Sequence, residues 1–388
     1  MNRKATLRAV GFTLFAIVLL GGCTGQEPVV PDMEIPESVT IVSSDEFYPY
    51  RNGILLTVFQ NKLWIFGGSK TISKGDGRPE TVYYHDVWNS EDGIHWTKVT
   101  DRIFNDDRIE YRIVVFKNKL WAIGGIKLEG IIDNTAQFQY FNDVWNSEDG
   151  IVWNKVTDDP GYEARRYMSI VATDDAMWMF GGIPENGFRQ LPEVWRSRNG
   201  TTWELVTDKL SLTGIRSNPL LASDNWFKYI SASQGIWSST DGETWDQVNI
   251  SESTFNEVFN FKEGLRSRAG YASTIHNGQL YVLGGWNYPT NTERYSNLLN
   301  DVWRTSDGET WERMSDRDEE TDNYMDNFDT FPARTDHNVV SFRGMLYLTG
   351  GQGEGKLVGP NTWEPTNFRD AWVSPDGKTW YELARVQE

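Results

Sequence analysis

Cysteine is almost absent from the 388 residues: Cys23 is the only one, and it lies close to the start of the chain. The remainder therefore has no partner for a disulfide, no pair of thiolates for zinc and no cysteine nucleophile. Histidine is scarce as well, with four residues, and His95 and His276 are predicted to lie in turns away from the other two. A three-histidine metal site is not expected. We predict neither a metal nor a cofactor.

Positive charge is also in short supply. Lys and Arg number 37 against 55 Asp and Glu, so the net charge is −18; removal of Arg3, Lys4 and Arg8 with a signal peptide takes it to −21. Such a surface repels nucleic acid and anionic lipid. We therefore expect no nucleic-acid partner and no membrane contact apart from an anchor.

Long hydrophobic runs are missing except for residues 9–20, which are too few to span a bilayer stably. The run ends in Leu20-Gly21-Gly22-Cys23, which resembles a bacterial lipobox, where the cysteine is acylated and becomes the new N-terminus. An ordinary cleaved signal is the alternative. We predict a signal peptide over 1–22 and a lipidated Cys23 with a proline-containing tether over 23–37. Thr24, in place of Asp, resembles the outer-membrane sorting pattern, so the expected location is the bacterial envelope, lipid-anchored, with the membrane face left open.

Repeats dominate the rest of the chain. Six segments each carry two Trp eight residues apart around Asp-Gly or Asn-Gly, which supplies the positive φ of a tight hairpin. They are DVWNSEDGIHW (86–96), DVWNSEDGIVW (143–153), EVWRSRNGTTW (193–203), GIWSSTDGETW (235–245), DVWRTSDGETW (301–311) and DAWVSPDGKTW (370–380). Twelve of the eighteen Trp are explained as wedges between repeats.

An apolar run closed by Gly-Gly precedes five of these hairpins. The runs are LWIFGG (63–68), LWAIGG (120–125), MWMFGG (177–182), LYVLGG (280–285) and LYLTGG (346–351). The fourth repeat has Tyr-Ile-Ser-Ala-Ser at 229–233 instead. Because each run also follows a strand-like stretch and a short turn, every repeat is predicted to have four strands.

Double glycine after the second strand, with Trp further on, is typical of kelch repeats, and residues 51–388 resemble that family. The Ser-x-Asp-Gly-x-x-Trp hairpin also resembles the Asp-box turn of sialidase-type propellers, though it is one residue shorter. The resemblance implies an all-β, six-bladed β-propeller over 38–388, with four antiparallel strands per blade and a monomeric state. The blades are placed at about 51–101, 108–158, 165–208, 216–249, 268–316 and 334–386, and the strand at 39–42 is expected to latch onto the outer edge of the last blade.

Function is expected where the connections between second and third strands lie. These loops are long in five repeats and nearly absent in the fourth. They carry aromatic and amide side chains, including Trp286 and Trp363, which suit sugar rings; packing of loop against loop is the alternative.

A column of arginines stands sixteen residues before each glycine pair. Its members are Arg51, Arg108, Arg165, Arg268 and Arg334, with Arg216 at the same place in the fourth repeat. They could form a cationic mouth for carboxylates, sulfates or phosphates. They could instead pair with acids two residues before the first hairpin Trp, namely Asp86, Asp143, Glu193, Asp301 and Asp370. The fourth repeat has Gly235 there, so Arg216 is the column member expected to face a ligand.

The residue three positions after each column arginine differs from one repeat to the next. The set is Ile54, Tyr111, Met168, Pro219, Tyr271 and His337, with Glu110 and Asp336 standing one residue before Tyr111 and His337. Tyr111, Tyr271 and His337 with these carboxylates could abstract a proton beside a carboxylate-bearing carbon. Buried polar groups at a propeller neck are the alternative.

The favoured function is an envelope-anchored binding module for a glycan, an anionic small molecule or a protein partner. The alternative is a cofactor-independent enzyme on an acidic sugar, resembling the kelch-type sialic acid mutarotases, or a lyase. The copper radical oxidases of the kelch family need a Cys–Tyr crosslink, which this chain lacks. Catalysis would require Tyr111, Tyr271 and His337 to converge in one pocket containing Arg216.

Overall fold

The computed structural model describes most of the chain after residue 31. The described residues are 32–73, 79–132, 135–185, 187, 189–214, 220–223, 226–259, 268–286, 298–315, 330–359 and 362–387. Cys23 and the predicted signal peptide lie outside them, as do Arg216 and Pro219. The part of the chain from Asp32 to Glu388 is one unit.

Five four-stranded antiparallel sheets and a sixth of five strands follow one another along the chain, so the predicted all-β, six-bladed propeller is confirmed. Blade 1 contains the strands Leu55–Phe59, Lys62–Phe66, Val87–Ser90 and Thr97–Thr100. Blade 2 contains Arg112–Phe116, Lys119–Ile123, Val144–Ser147 and Asn154–Thr157. Blade 3 contains Ser169–Ala172, Met177–Phe180, Val194–Ser197 and Glu204–Thr207. Blade 4 contains Leu220–Ser223, Trp226–Ser231, Gly235–Ser239 and Asp246–Gln247. Blade 5 contains Ala272–His276, Gln279–Trp286, Leu298–Thr305 and Glu312–Arg313. Blade 6 contains Asn338–Phe342, Met345–Thr349, Asp370–Ser374 and Tyr381–Val386.

Further elements stand between these strands. Two-stranded ribbons connect the second and third strands of three blades, and a shorter one lies in blade 3. They pair Ser69–Ser73 with Pro79–Tyr83, Ile126–Ile132 with Thr135–Tyr140, Gln352–Gly359 with Thr362–Asn367, and Arg165–Arg166 with Ile183–Pro184. The α-helix in the described residues is Glu252–Phe259, after blade 4. It is not long and apolar enough to cross a membrane.

The two ends of the blades differ in what they carry. Leu55 pairs with Phe66 at one end of blade 1, and Phe59 pairs with Lys62 at the other. The ribbons and the starts of the first strands therefore lie at one end, which we name the loop face. The first turns and the Asp-Gly hairpins lie at the other end, which we name the turn face. First strands of neighbouring blades contact one another, as expected around a propeller axis.

The Asp-Gly hairpins are held by their own side chains. In blade 1 the Ser90 hydroxyl accepts a hydrogen bond of 2.9 Å from the Gly93 amide, and Asp92 Oδ1 accepts two of 2.8 Å from the next two amides. Gly93 has a φ of 77°, which favours glycine. The Ser-x-Asp-Gly pattern thus specifies the turn locally.

The core lies between blades rather than inside them. The hairpin glycines of five blades each cover an aromatic ring of the preceding blade, and Gly308 of blade 5 covers Val248 and Lys228 of blade 4 instead; a Cβ on Gly150 would lie 2.2 Å from the Trp64 ring. Trp153, the second Trp of the same hairpin, packs edge-on against Phe66 of blade 1 at 6.2 Å. The second hairpin Trp are the predicted wedges, and their burial fixes each blade to its neighbour.

Ring closure follows the expectation from the sequence. The strand Thr40–Val42 pairs in parallel with the last strand, Thr40 with Ala384 and Val42 with Val386, and gives blade 6 a fifth strand. Val42 is 2% exposed and Ile41 is 57% exposed, so one side of this strand enters the core. The described chain starts on the turn face, where the Met33 amide donates 2.8 Å to Arg343 O.

Candidate functional site

The column arginines are buried and paired within their blades. All five described members, Arg51, Arg108, Arg165, Arg268 and Arg334, are at most 2% exposed. Each meets the acid of its own blade, through Asp86, Asp143, Glu193, Asp301 and Asp370 respectively. The guanidinium of Arg334 and the Asp370 carboxylate form a fork of 2.8 and 2.7 Å. Of the two alternatives, the ion pair is what the structure contains.

These arginines therefore do not form the cationic mouth that we also considered. Their donors are used by the acid and by the first glycine of the pair, as Arg165 Nη1 donates 2.9 Å to Gly181 O. The second glycine leaves room for the arginine stem, since a Cβ on Gly182 would lie 2.7 Å from Arg165 Cδ. The sixteen-residue spacing thus reflects one structural motif: arginine, double glycine and acid close each blade on the loop face.

The first hairpin Trp completes this motif in a way that the sequence did not indicate. The indole Nε1 of Trp372 donates 2.8 Å to Asp370 Oδ2, two residues earlier. Equivalent bonds of 2.8 to 2.9 Å join Trp88 to Asp86, Trp145 to Asp143, Trp195 to Glu193 and Trp303 to Asp301. The acid-x-Trp spacing was the available signal, because with this spacing one carboxylate accepts from both the arginine and the indole in five blades.

Blade 4 is built differently, as its sequence predicts. Its second strand ends at Ser231 and its third begins at Gly235, so the long loop is missing. Where the other blades have an acid, the carbonyl of Gln234 accepts from Trp237 Nε1 at 3.2 Å and from Gln247 Nε2 at 3.3 Å. Arg216, the column member of this blade, lies outside the described residues, so its expected role as a ligand contact stays a prediction.

The three proposed catalytic side chains do not converge. A Cβ on Gly67 of blade 1 would lie 3.1 Å from Tyr111 Oη, and Tyr271 Oη donates 3.1 Å to Ile230 O of blade 4. His337 is 6% exposed and lies against Gly284 of blade 5. The side chains point sideways into three separate blade interfaces, so the structure does not bring the trio together in one pocket.

The surroundings of the trio agree with structural roles. Burial, and then the Arg334 charge, lower the pKa of His337 to about 3, so its imidazole is neutral at physiological pH. Burial raises the pKa of Tyr111 and that of Tyr271 well above their usual range. In the described residues neither ring nitrogen of His337 has a hydrogen-bond partner. These groups cannot exchange protons with a ligand in this arrangement.

A different cluster lies where the first strands of blades 2 and 3 begin; Glu110 in it is one of the residues singled out from the sequence, whereas its neighbours Arg166, Tyr167 and Arg112 are not. Arg166, next to the column, lies 3.5 Å from Glu110 Oε2, and Tyr167 Oη donates 2.7 Å to Glu110 Oε1. Arg112 is close enough for the Glu110 carboxylate to influence its pKa, which loss of hydration lowers. We name Arg112, Glu110, Arg166 and Tyr167 the mouth cluster.

Aromatic rings surround the guanidinium of Arg166. Its Cζ lies 5.6 Å from the ring centre of Phe138, 5.8 Å from that of Tyr140 and 4.9 Å from that of Tyr167. The Arg166 side chain is 26% exposed and that of Glu110 is 23% exposed, so solvent reaches both. Arg166 Nε is buried without a hydrogen-bond partner among the described residues. The column arginines are at most 2% exposed, whereas solvent reaches part of the Arg166 side chain.

The backbone is strained at the loop-face end of the first strands, where the mouth cluster lies. Two residues after the column, Glu110, Tyr167 and Asp336 have φ values of 59°, 57° and 55°, where glycine occurs in blades 1 and 5. Non-glycine residues in this region cost about 1 kcal/mol or more and often mark binding sites. Side chains are thereby placed at the mouth where glycine would leave none.

A second polar group stands on the other side of the ring, at blades 6 and 1. Gln352 Nε2 donates 2.9 Å to Tyr50 Oη, which donates 2.7 Å to Asn52 Oδ1. Asp336 is exposed here, and restricted hydration raises its pKa. Trp286 lies beside Gly270, in the same part of the ring. Trp363 is in the ribbon of blade 6, and its side chain lies outside the description.

The opposite end of the axis holds a cavity of about 460 Å³, lined by the ends of first strands, including Phe116, Ala222 and Ile275. Lys117, which also lines this cavity, donates a hydrogen bond of 2.9 Å to the carbonyl of Arg198. Across the described residues, no cluster of three or more His, Cys, Asp or Glu side chains is arranged to hold a metal ion. The loop face therefore has the stronger candidate site.

Comparisons with known proteins agree with this architecture. A family model described as the Kelch motif matches residues 267–316, which include blade 5. Among solved structures, the chain is similar to one titled "Structure of YjhT", with 12% identity and a TM-score of 0.54, over 87% of this chain and 98% of that one. This likeness concerns the fold alone. A search of curated proteins finds no match.

Proposed function

Since this chain is a kelch-repeat β-propeller, we propose that it is an envelope-anchored binding module that recognises a carbohydrate or another anionic ligand on its loop face. The anchor is the lipid expected on Cys23. The observation that carries the proposal is Arg166, a partly exposed guanidinium that lies among three aromatic rings and 3.5 Å from the Glu110 carboxylate.

Charge supports an anionic ligand at this point. A chain of net charge −18 repels anions in general, but Arg166 and Arg112 place two positive charges beside one carboxylate, Glu110. Guanidinium groups bind carboxylates, sulfates and phosphates through paired hydrogen bonds. The mouth cluster is thus a local site of opposite sign to the surface around it.

The surroundings support a sugar as the bearer of that charge. Phe138, Tyr140 and Tyr167 offer ring faces for stacking, and Tyr50 with Gln352 offers hydroxyl and amide groups across the ring. Pockets for small molecules combine apolar walls with a few placed polar groups in this manner. The loop face is also free of the chain's entry point, because Met33 is bound at the turn face.

An array of anionic and neutral glycans tests the proposal on the full chain carrying Cys23→Ser. We expect binding of acidic glycans, reduced about tenfold or more by Arg166→Ala, because a charged hydrogen bond contributes about 1.5–3 kcal/mol. Arg196→Ala is the matched control: Arg196 is 28% exposed, pairs with Glu204 and lies 5.2 Å from the Trp178 ring. Equal signals from the two variants would contradict the proposal.

A further inference from the structure

Another cavity lies at the loop-face end of blade 6, away from the mouth cluster. Its volume is about 290 Å³, and it is bordered by the base of the ribbon and by the third and fourth strands of the blade. Trp372, Phe368 and Pro332 contribute apolar wall, and the half-buried Arg369 contributes a guanidinium. Sites for small molecules begin at about this size and combine apolar walls with a few polar groups.

The position of Arg369 is known from two other blades. It stands directly before the acid of its blade, where blade 2 has Asn142 and blade 5 has Asn300. Asn142 Nδ2 donates 3.0 Å to Tyr162 O, and Asn300 Nδ2 donates 3.3 Å to Phe331 O. Both acceptors lie in the connection that leads to the next blade. At this position a neutral amide is therefore sufficient to hold that connection.

Arg369 holds the corresponding connection between blades 6 and 1. Its Nη2 donates 3.2 Å to Phe47 O and 3.1 Å to Ser44 O. Its Nε is buried without a hydrogen-bond partner among the described residues, and no carboxylate among them pairs with the guanidinium. Burial lowers the pKa of Arg369, as expected for a cation without a counter-charge. The arginine thus brings a charge that holding the connection does not require.

The two acids on the cavity wall already have arginines of their own. Asp370 is paired with Arg334, and Glu382 Oε1 accepts 2.6 Å from Arg385 Nε. Among the described lining residues, the charge of Arg369 is therefore the one left without an opposite charge. An anion in the cavity would meet this charge partly shielded from water, where a charge-assisted hydrogen bond is stronger than at an open surface.

The ring of Trp372 lines the cavity because its neighbour on the fourth strand differs from that in blade 2. There Trp145 pairs with Lys155, whose ammonium lies 5.3 Å from the ring centre. Trp372 instead pairs with Glu382, which binds Arg385. Within the described part of the chain, no cation covers the Trp372 ring. Its exposed edge, 9% of the residue, is available to the body of a ligand.

We propose that this cavity binds a small organic carboxylate with a ring body, whose carboxylate pairs with Arg369 and whose ring packs against Trp372. A sugar acid and an aromatic acid share this chemistry, and the experiment below separates them. Because Arg369 also holds Ser44 and Phe47, the bound acid would stabilise the closed ring. This goes beyond the proposed function, since the cavity and the mouth cluster share no residue.

Isothermal titration calorimetry tests the proposal on the full chain carrying Cys23→Ser and Arg166→Ala, so that the mouth cluster does not contribute. Glucuronate and benzoate are the probes, and glucose and benzyl alcohol are their uncharged counterparts. We expect at least one acid to bind about tenfold or more tightly than its uncharged counterpart. Binding of glucuronate alone identifies a sugar acid, and binding of benzoate alone identifies an aromatic acid.

Arg369→Asn is the central variant, because blades 2 and 5 show that asparagine holds the connection at this position. It should weaken binding of the acid about tenfold or more, Arg369→Lys should keep part of the binding, and Arg196→Ala is the matched control that should leave it unchanged. The acid should also raise the midpoint of thermal unfolding of the parent chain but not that of Arg369→Asn. Failure of both acids to bind, or equal binding by the parent and Arg369→Asn chains, would overturn the inference.

The outcomes also separate this inference from the proposed function. Arg369→Asn on its own should leave the signals of the glycan array unchanged, because Arg369 is not in the mouth cluster. Glycan binding that is lost in Arg166→Ala, with neither acid bound in the calorimeter, would refute the cavity and support the carbohydrate proposal. Binding of an acid that depends on Arg369, with no signal on the glycan array, would do the reverse.

Discussion

Replacement of Asp370 by alanine would remove the centre of the arginine–glycine–acid motif in blade 6. The carboxylate accepts 2.8 and 2.7 Å hydrogen bonds from Arg334 and a third, of 2.8 Å, from Trp372 Nε1. The side chains of Arg334 and Asp370 are 0% and 8% exposed. After the change, Arg334 keeps hydrogen bonds only to carbonyls, such as Gly350 O at 3.0 Å.

The expected loss of stability is large because a charge would remain buried without its counter-charge. Removal of one partner of a buried ion pair costs about 3–5 kcal/mol. The indole donor of Trp372 would lose its acceptor as well, which by itself costs about 1–3 kcal/mol when water cannot replace it. We therefore expect the free energy of unfolding to fall by about 3–5 kcal/mol.

Blade 2 offers an internal comparison, since Arg108 has a second acid, Asp106, at 3.1 Å. Asp143→Ala should accordingly cost less, about 1–3 kcal/mol. Urea unfolding followed by tryptophan fluorescence measures both, with Glu204→Ala as an exposed control that should leave the midpoint unchanged. If Asp370→Ala destabilised the protein no more than Glu204→Ala, the motif would not hold the blade as we argue.

Three further predictions concern the blade interfaces. The pKa of His337 is about 3 in the folded protein, compared with an ordinary value of 6.5. The unfolded chain therefore takes up the proton first, and the free energy of unfolding falls as the pH drops from 6.5 towards 3. His337→Met should restore about 3 kcal/mol of that free energy at pH 4, as urea unfolding across a range of pH can measure. Tyr271→Phe should lower the free energy of unfolding by about 1 kcal/mol through loss of one hydrogen bond, whereas Tyr111→Phe should not lower it, because that hydroxyl has no partner among the described residues. Val42→Ser should lower the free energy of unfolding by about 1–3 kcal/mol, because a buried apolar side chain is lost. Ile41→Ser should leave it unchanged, because Ile41 is exposed, and thermal unfolding can measure both variants.

Controls for these changes come from the same chain. Ile41→Ser removes no titratable group and replaces a side chain that is 57% exposed, so it should leave the pH dependence between 6.5 and 4 unchanged. An unchanged pH dependence in His337→Met would contradict the burial argument. Equal effects of the two tyrosine changes, or of the two changes in the first strand, would show that side-chain direction has been assigned wrongly.

The blades could be predicted from the sequence because the determinants of each are local. Asp-Gly turns with Ser and Asp side chains specify their own hairpins, and the Gly pair ends a buried strand sixteen residues after the column arginine of the blade. The short loop of blade 4 and the strand at Thr40–Val42 followed from the same register. Six repetitions made each weak motif reliable.

The site could not be predicted with the same success, because register fixes the level of a side chain along a blade but not its direction. The column of arginines was correctly placed at the loop face, yet each points along its own blade to an acid. Tyr111 and His337 share a level with the mouth but point into clefts between blades. Arg166 does not stand out in the sequence because it directly follows the repeated arginine, Arg165. The sequence does carry a signal for Arg166, because the residue directly after the column arginine differs between blades: it is Asn52 in blade 1 and Thr335 in blade 6.

The pairing of Thr40–Val42 with the last strand also sets the order in which the ring can be completed. Val42 can pair with Val386 only after the strands of all six blades have been made. A contact between the two ends of a chain is among the slowest to form, because a long loop must close first. Earlier blades can stack as they emerge, but blade 6 keeps an open edge until the first strand arrives. A chain that ends a few residues early is therefore expected to remain an open ring, with the apolar side of Val42 exposed.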